Sequence, residues 1–281
     1  MNNQAMPATE GLRIDSQVAE LVITRFIRNE VGKAGFSRVV LGLSGGIDSA
    51  VGCYLAAKAL GPDNVLALRM PHEVSSPESL EHAELVIDEL QVASDTVDIS
   101  PMVRSVEEAV GEMSPSRRGN IMARMRMLIL YDRSAAWNAL VLGTSNKSEL
   151  LLGYGTIYGD LASAVNPIGD LYKTQVRQLA HFMGVPQAII DKQPSADLVP
   201  GQTDEQDLGF TYADVDRLLY LLVDERYQLE EAIGAGFDRS FVDVAWQKVR
   251  RSQFKRSLPI IPKISSRTIN HDFRYLRDWG T

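Results

Sequence analysis

The sequence predicts an α/β fold, built on a doubly wound, Rossmann-like parallel sheet of about five strands flanked by helices. Short apolar runs with β-branched residues alternate along the first part of the chain with longer segments that have helical spacing. This alternation of strand and helix implies right-handed crossovers and parallel pairing. The ligand site of such a sheet lies at the carboxyl ends of the strands, so we expect functional residues just after them.

Four segments are predicted to form buried strands: SRVVLGL (37–43), NVLALRM (64–70), SDTVDI (94–99) and ALVLG (139–143). Between them, three longer segments with helical spacing predict helices: residues 49–60, 76–90 and 115–137. After residue 170 the pattern becomes helical and charged, and the predicted helices cover residues 173–184, 211–236 and 240–254. We expect this last group of helices to flank the sheet and to close over the site.

We interpret residues 1–281 as a single domain that begins with a polar leader, residues 1–14, expected to be flexible. The net charge of −7 and the isoelectric point near 5.2 argue against nucleic acid as the main partner, because a polyanion requires a basic face. No apolar stretch approaches the ~18 residues that a membrane span needs, so we expect no membrane association and a cytoplasmic location. The single cysteine, Cys53, is expected to pack in the core.

The stretch SGGIDS, residues 44–49, lies between the first predicted strand and a helix expected to begin near Asp48. Its glycines let backbone N–H groups approach a ligand closely, and the helix N-terminus adds partial positive charge, which suits a phosphate. The hydroxyls of Ser44 and Ser49 can donate hydrogen bonds to phosphate oxygens. A carboxylate that faces phosphates is repelled unless a cation lies between them, so Asp48 predicts Mg²⁺. Alternatively, the glycines form a simple turn and Asp48 caps the helix.

Six further motifs join this loop to cover nearly all of the chain from about residue 16: RMPHEVSSPES (69–79), GNIMARMRM (119–127), LGTSNKSELLLGYGTIYGD (142–160), PIGDLYKTQVRQLA (167–180), KQPSADLVPGQTDE (192–205) and FKRSLPIIPKISSR (254–267). The loop resembles that of the ATP pyrophosphatases, and the whole set resembles the NAD synthetases within that superfamily. The resemblance implies an adenine nucleotide alpha hydrolase-like fold. It also implies that ATP adenylates the nicotinate carboxylate of nicotinic acid adenine dinucleotide, and that ammonia then displaces AMP to form NAD.

By the same resemblance, the ATP-binding residues are Gly42, Leu43, Ser44, Gly45, Gly46, Ile47, Asp48, Ser49, Arg69, Thr144, Lys173 and Ser195. Among them, Asp48 and Lys173 are expected to act in catalysis. Asp48 and Glu149 are expected to hold Mg²⁺ against the phosphates of ATP. These assignments place the expected metal site next to the SGGIDS loop, whose own residues already predict phosphate binding.

The resemblance assigns the dinucleotide to a second group of residues, Asn120, Arg124, Glu149 and Lys255. Arg124 belongs to a predicted helix that is otherwise apolar and also contains Arg126. Two cations in a buried stripe would require anionic partners, which favours a ligand there.

Three positions depart from the pattern of the stand-alone bacterial enzymes, which commonly carry a lysine, an aspartate and a histidine where this chain has Ile157, Ala164 and Phe254. These departures leave open a related amide-forming ligase that acts on another carboxylate. The chain also has one cysteine and no room for a glutaminase domain. It should therefore use ammonia directly, or be a synthetase subunit fed by a separate glutaminase.

The resemblance further implies a homodimer, with the predicted helix over residues 115–137 as a candidate contact. Two loops, residues 72–79 and 199–209, are expected to become ordered over ATP. A sensor that binds nucleotide without catalysis is the least favoured alternative, because Asp48, Glu149 and Lys173 are all retained.

Overall fold

The computed structural model describes residues 11–195, 201 and 203–269, and within them a four-stranded sheet in which every pairing is parallel. The strands are β1 (Val39–Gly42), β2 (Val65–Arg69), β3 (Ala93–Thr96) and β4 (Leu140–Val141). Their order is β3-β2-β1-β4, so successive strands extend to one side of β1 and then return to its other side. The predicted doubly wound α/β fold is confirmed, with the change of direction at β1.

The strands are shorter than the apolar runs that predicted them. Beyond β4, a single parallel bridge joins Leu142 to Val165 and takes the place of the fifth strand. The prediction that the segment containing β3 is buried is wrong, because Ser94, Asp95 and Thr96 are polar and lie at the edge of the sheet, mostly exposed.

Alternate residues of β1 pack into different parts of the core, as the two-residue period of a strand requires. Val39 and Leu41 pack with helices on one face of the sheet, whereas Val40 packs with Leu68 and Met122 on the other. Since both faces of the central strands are covered by apolar side chains, the accessible parts of the sheet are the edge strand β3 and the ends of the strands. This geometry directs a ligand towards the loops after β1, β2 and β4.

Twelve α-helices are found within the described residues: α1 (Ser16–Lys33), α2 (Ile47–Leu60), α3 (Pro77–Leu90), α4 (Ser100–Val110), α5 (Pro115–Trp137), α6 (Lys147–Leu152), α7 (Lys173–Met183), α8 (Gln187–Asp191), α9 (Asp204–Leu208), α10 (Tyr212–Leu219), α11 (Leu229–Gly234) and α12 (Arg239–Arg251). α5 has the predicted bounds, because the Ser114 side chain caps its start and Asn138 ends it in the left-handed conformation. The continuous helix predicted over residues 211–236 is wrong. A π-helical segment follows α10, and Arg226 has a φ of 59°, so α11 begins only at Leu229.

The described part of the expected leader packs against the domain. Leu12 is buried, and its carbonyl accepts a hydrogen bond of 2.8 Å from Gln178 Nε2, while the Ile14 N–H donates to Gln178 Oε1 at 3.2 Å. Residues 1–10 lie outside the described residues. Cys53 is fully buried, as expected, and burial raises the pKa of its thiol to about 12. Across the described ranges, no helix combines the length and apolar composition needed to cross a bilayer.

Candidate active site

The SGGIDS loop is held in a tight shape by its own serines. The Ser49 hydroxyl accepts a hydrogen bond from the Ser44 N–H at 3.1 Å and donates one to the Gly46 carbonyl at 2.9 Å. Ser49 is buried and Ser44 is exposed. The structure therefore places the Ser49 hydroxyl inside the loop, where it shapes the backbone, and leaves Ser44 facing solvent.

Gly45 lies where the SGGIDS loop packs closely against the first turn of α3. Its φ of +75° is left-handed, and a Cβ at this position would lie 2.0 Å from the carbonyl oxygen of Ser79 in the first turn of α3. Only glycine fits without moving one of the two segments. The neighbouring Leu43 and Ile47 are buried apolar residues that anchor the loop in the core.

Asp48, Glu149 and Lys173 come together although they are distant in sequence. Lys173 Nζ forms an ion pair with Asp48 Oδ2 and lies 3.5 Å from Glu149 Oε1. The lysine is 2% exposed, and its ammonium also lies 5.2 Å from the centre of the Tyr212 ring. The carboxylates expected to hold a metal are thus adjacent to the lysine expected to meet ATP.

Asn146 orients both carboxylates and was missed by the sequence analysis. Its side-chain Nδ2 donates to Asp48 Oδ1 at 3.0 Å, and its Oδ1 accepts from the Glu149 N–H at 3.0 Å. Glu149 Oε2 in turn accepts from the Asn146 N–H at 3.2 Å, which completes a capping box at the start of α6. The sequence signal was present, because Asn and Glu three residues apart before an apolar run are typical of this box.

The electrostatics of this cluster favour an additional cation. Burial raises the pKa of Glu149 to about 8, and the charge of Asp48 acts in the same direction against the opposing effect of Lys173. Burial lowers the pKa of Lys173, but Asp48 and Glu149 outweigh burial and raise it above its ordinary value. Lys173 is therefore a fixed cation that must share its charge between two carboxylates. A divalent cation beside Glu149 would favour its ionised form and add the positive charge that Lys173 alone does not supply for both carboxylates.

Oxygen donors of this kind fit Mg²⁺, which usually binds one or two carboxylates and completes its shell with water and substrate phosphates. In the described part of the chain there is no cluster of three or more His, Cys, Asp or Glu side chains that could enclose a metal by itself. Asp48 and Glu149 therefore suit a metal that arrives with a phosphate ligand.

A buried carboxylate, Asp216 of α10, fixes the helices that carry this cluster. It accepts hydrogen bonds from Ser148 Oγ at 2.5 Å and from the Thr174 N–H at 2.9 Å, and Ser148 Oγ accepts from the Lys173 N–H at 2.9 Å. Asp216 is fully buried, and burial raises the pKa of its carboxyl. The first turns of α6 and α7 are thereby joined, which sets Glu149 relative to Lys173.

The other predicted ATP residues lie around the same edge of the sheet. Thr144 follows β4 and is half-buried, with its methyl group 3.3 Å from where a Cβ on Gly52 would lie. Arg69 ends β2 and forms an ion pair with Glu84 of α3. Gly42 ends β1, and Ser195 is exposed at the limit of the described residues.

Three of the predicted dinucleotide residues converge on the loop after α6. Thr156 Oγ1 of this loop donates to Asn120 Oδ1 at 2.8 Å, and Arg124 Nη2 donates to the Ile157 carbonyl at 3.3 Å. Lys255 Nζ donates to two carbonyls of the loop, Gly153 at 2.8 Å and Gly155 at 2.7 Å. The fourth predicted residue, Glu149, lies at the other end of the same helix. α6 therefore links the predicted metal ligand Glu149 to the loop that the other three predicted dinucleotide residues contact.

The expectation of two buried arginines on α5 is wrong. Arg124 is exposed, and Arg126 is half-buried with its Nε donating to the Met70 carbonyl at 3.0 Å. The two residues occupy different faces of the helix, since they are two positions apart. Arg124 is thus accessible from solvent beside the 153–160 loop. Phe254, one of the departures from the family pattern, is also exposed there, next to Ile157 in a cavity of about 440 Å³.

Comparison with known proteins agrees with this geometry. The family model described as NAD synthase matches residues 20–259. The NH(3)-dependent NAD(+) synthetase of Trichlorobacter lovleyi is 55% identical over 269 residues, which cover 96% of this chain and 98% of that protein. The NH3-dependent NAD synthetase structure from Campylobacter jejuni, in complex with the nitrate ion, matches with a TM-score of 0.76 and 36% identity, over 89% of this chain and all of that one.

A structure of NMN synthetase from Francisella tularensis matches with a TM-score of 0.80 and 30% identity, again over 89% of this chain and 100% of that chain. The matched family model covers most of the described residues, including the SGGIDS loop, Asn146 and the Asp48, Glu149 and Lys173 cluster. This chain therefore belongs to the NAD synthase family.

Proposed function

We propose that this chain is an ammonia-dependent NAD synthetase, which uses ATP to convert the nicotinate carboxylate of nicotinic acid adenine dinucleotide into the amide of NAD. One observation carries the proposal: a phosphate loop, two carboxylates and a buried lysine meet at the carboxyl edge of the sheet. Relatives with NH(3)-dependent NAD(+) synthetase names, matched over nearly their full length, support the choice of substrates.

In the first step, a carboxylate oxygen of nicotinate attacks the α-phosphorus of ATP, and the bond to the bridging oxygen breaks to release pyrophosphate. Backbone N–H groups of the SGGIDS loop and the Ser44 hydroxyl would bind the phosphates. Lys173, which stays protonated because of its two carboxylate neighbours, stabilises the negative charge of the departing pyrophosphate.

Asp48 and Glu149 would hold Mg²⁺ at this site, oriented by Asn146. When bound there, the metal would neutralise phosphate charge and make the phosphorus more electrophilic. In the second step, the lone pair of ammonia attacks the acyl carbon, AMP leaves with the C–O bonding electrons, and the new amide nitrogen loses its extra proton to solvent. AMP is a far better leaving group than the oxide of a free carboxylate, which is why adenylation must come first.

Asn120, Arg124 and Lys255 would bind the dinucleotide beside the 153–160 loop. Arg124 is accessible, and Lys255 is a cation whose pKa is lowered by burial, so both can gain from an anionic ligand. The match to an NMN synthetase structure favours nicotinic acid mononucleotide as a second candidate substrate. It would present the same carboxylate with one nucleotide fewer.

We also propose a cytoplasmic homodimer in which α5 contributes to the contact. Its Leu128 and Tyr131 are 55% and 41% exposed, and apolar side chains of this kind are more often covered in an assembly. Analytical ultracentrifugation at low micromolar concentration tests this. A monomer throughout would contradict it.

The reaction is tested by incubating the protein with Mg-ATP, ammonium or glutamine, and either the dinucleotide or the mononucleotide acid. We expect equal amounts of NAD, AMP and pyrophosphate with ammonium, and loss of at least ~100-fold in rate for Lys173→Met. Lys58→Met is the matched control, because Lys58 lies at the far end of α2 and pairs with Glu20 at 2.6 Å. Failure to form NAD from ammonium despite bound ATP would refute the proposed function.

A further inference from the structure

Lys192 lies beside the phosphate loop although it follows α8, far along the chain from that loop. Its Nζ donates a hydrogen bond of 2.8 Å to the side-chain hydroxyl of Ser79. Ser79 is buried, and its carbonyl oxygen is the atom that a Cβ on Gly45 would meet at 2.0 Å. A single residue of α3 therefore touches both the loop backbone and the Lys192 ammonium.

The two lysines near the SGGIDS loop, Lys173 and Lys192, differ in the partners of their ammonium groups. Lys173 is shared between Asp48 and Glu149. Among the residues that the structure describes, Lys192 forms no ion pair with a carboxylate, and its hydrogen bond goes to the neutral hydroxyl of Ser79. Lys192 is half-buried, so its charge is only partly hydrated. A cation in this state gains more from an arriving anion than a solvated or paired lysine does.

We infer that Lys192 is an additional phosphate-binding residue, which releases Ser79 and binds the β- or γ-phosphate of ATP and then the pyrophosphate product. The inference rests on the proposed function. The flexible four-carbon stem of lysine allows this exchange without movement of the backbone. The charge of Lys173 is already shared with Asp48 and Glu149, so a second cation beside the loop would add to the binding of the phosphates.

The test measures direct binding by isothermal titration calorimetry, without the second substrate. Mg-ATP, Mg-pyrophosphate and AMP are titrated into the wild type, Lys192→Met, Lys192→Arg and the remote control Lys58→Met. We expect Lys192→Met to weaken ATP and pyrophosphate binding about tenfold, the effect of one charge-assisted hydrogen bond, and to leave AMP binding within about twofold. Lys192→Arg should retain most of the affinity, and Lys58→Met all of it.

The variant Ser79→Ala distinguishes a phosphate-binding role of Lys192 from a purely structural role. If Lys192 acts only by holding Ser79, removal of the Ser79 hydroxyl should weaken ATP binding as much as Lys192→Met does, and the inference is overturned. If Lys192 binds phosphate, Ser79→Ala should bind ATP at least as tightly as the wild type. Unchanged pyrophosphate affinity in Lys192→Met, or an equal loss for AMP, would also overturn it.

The proposed function is checked separately by NAD formation in the wild type. A wild type that forms NAD while Lys192→Met binds ATP normally refutes the role of Lys192 alone. A wild type that binds no ATP refutes both.

Discussion

Replacing Gly45 by alanine tests whether the phosphate loop requires its observed backbone. The new methyl group would lie 2.0 Å from the Ser79 carbonyl oxygen, where a carbon and an oxygen normally stay at least about 3.3 Å apart. The contact is to backbone on both sides, so a change of side-chain rotamer cannot relieve it. The loop and the first turn of α3 must separate by roughly 1 Å.

Two terms contribute to the expected loss of stability. A left-handed φ costs alanine about 1 to 2 kcal/mol relative to glycine, and separating the packed segments adds a cost of the order of 1 to 3 kcal/mol. We expect the free energy of unfolding to fall by about 3 kcal/mol, which corresponds to about 6 °C in Tm for a domain of this size. The rate of NAD formation should fall at least ~100-fold, because a shift of about 1 Å in a positioning loop is costly to catalysis.

The adjacent Gly46 offers a matched control. Its φ is −92°, and the nearest atom to a Cβ there is the flexible Ser44 Oγ at 3.4 Å. The free energy of unfolding of Gly46→Ala should therefore lie within about 1 kcal/mol of that of the wild type. Urea unfolding gives both stabilities, and the KM for ATP shows whether the loop still binds phosphate.

Equal stability of Gly45→Ala and Gly46→Ala would refute the reasoning, since only the first is strained. Retained ATP affinity in Gly45→Ala would also contradict it, because the loop would then bind phosphate without its observed contact to α3.

Three further predictions concern the buried charges. Glu149→Gln should stabilise the metal-free protein progressively between about pH 5 and pH 8. Burial raises the pKa of this carboxyl to about 8, so it deprotonates more readily in the unfolded chain, and the wild type loses stability as the pH rises through this range. Urea unfolding across this range measures the difference, and Glu231→Gln, at the same position of an exposed capping box, is the matched control. Asp216→Ala leaves two buried donors without an acceptor, and should cost about 3 kcal/mol in unfolding free energy, with Asp216→Asn costing less. Lys173→Met leaves two carboxylates without their cation, so Mg²⁺ should raise its Tm more than that of the wild type; an equal shift in calorimetry would contradict this.

Much of the fold and the position of the SGGIDS loop between a strand and a helix could be predicted because their signals are local. The apolar runs of β1 and β2 predict strands from their own residues alone. The glycines of SGGIDS likewise indicate a tight loop without reference to any distant segment. The role of Ser49 was harder to predict, since a hydroxyl in a phosphate loop can face the ligand or the backbone, and only the folded loop decides. The structure directs it to the Gly46 carbonyl.

The supporting residues of the site depend on contacts between distant segments. Asn146 meets Asp48 across 98 residues, and Asp216 meets Ser148 across 68. No periodicity or residue spacing in the sequence specifies either contact. The capping box of Asn146 indicated the start of a helix, but not which side chain its amide would orient. Arg124 shows the same limit, because the composition of α5 did not reveal which of its faces is exposed.

The shortness of α6 has a consequence for how the two substrates affect one another. Its first turn carries Glu149, and one turn later its last carbonyls are held by cations: Lys255 binds Gly153, while Arg256 donates to Leu150 and Leu151 at 2.9 Å. If the proposed dinucleotide drew Lys255 away, it would loosen the end of a helix whose other end carries Glu149, the proposed metal ligand. Such coupling would be reciprocal, so that ATP would alter the affinity for the dinucleotide by the same factor. A helix of six residues would thus couple the binding of the two proposed substrates through its opposite ends.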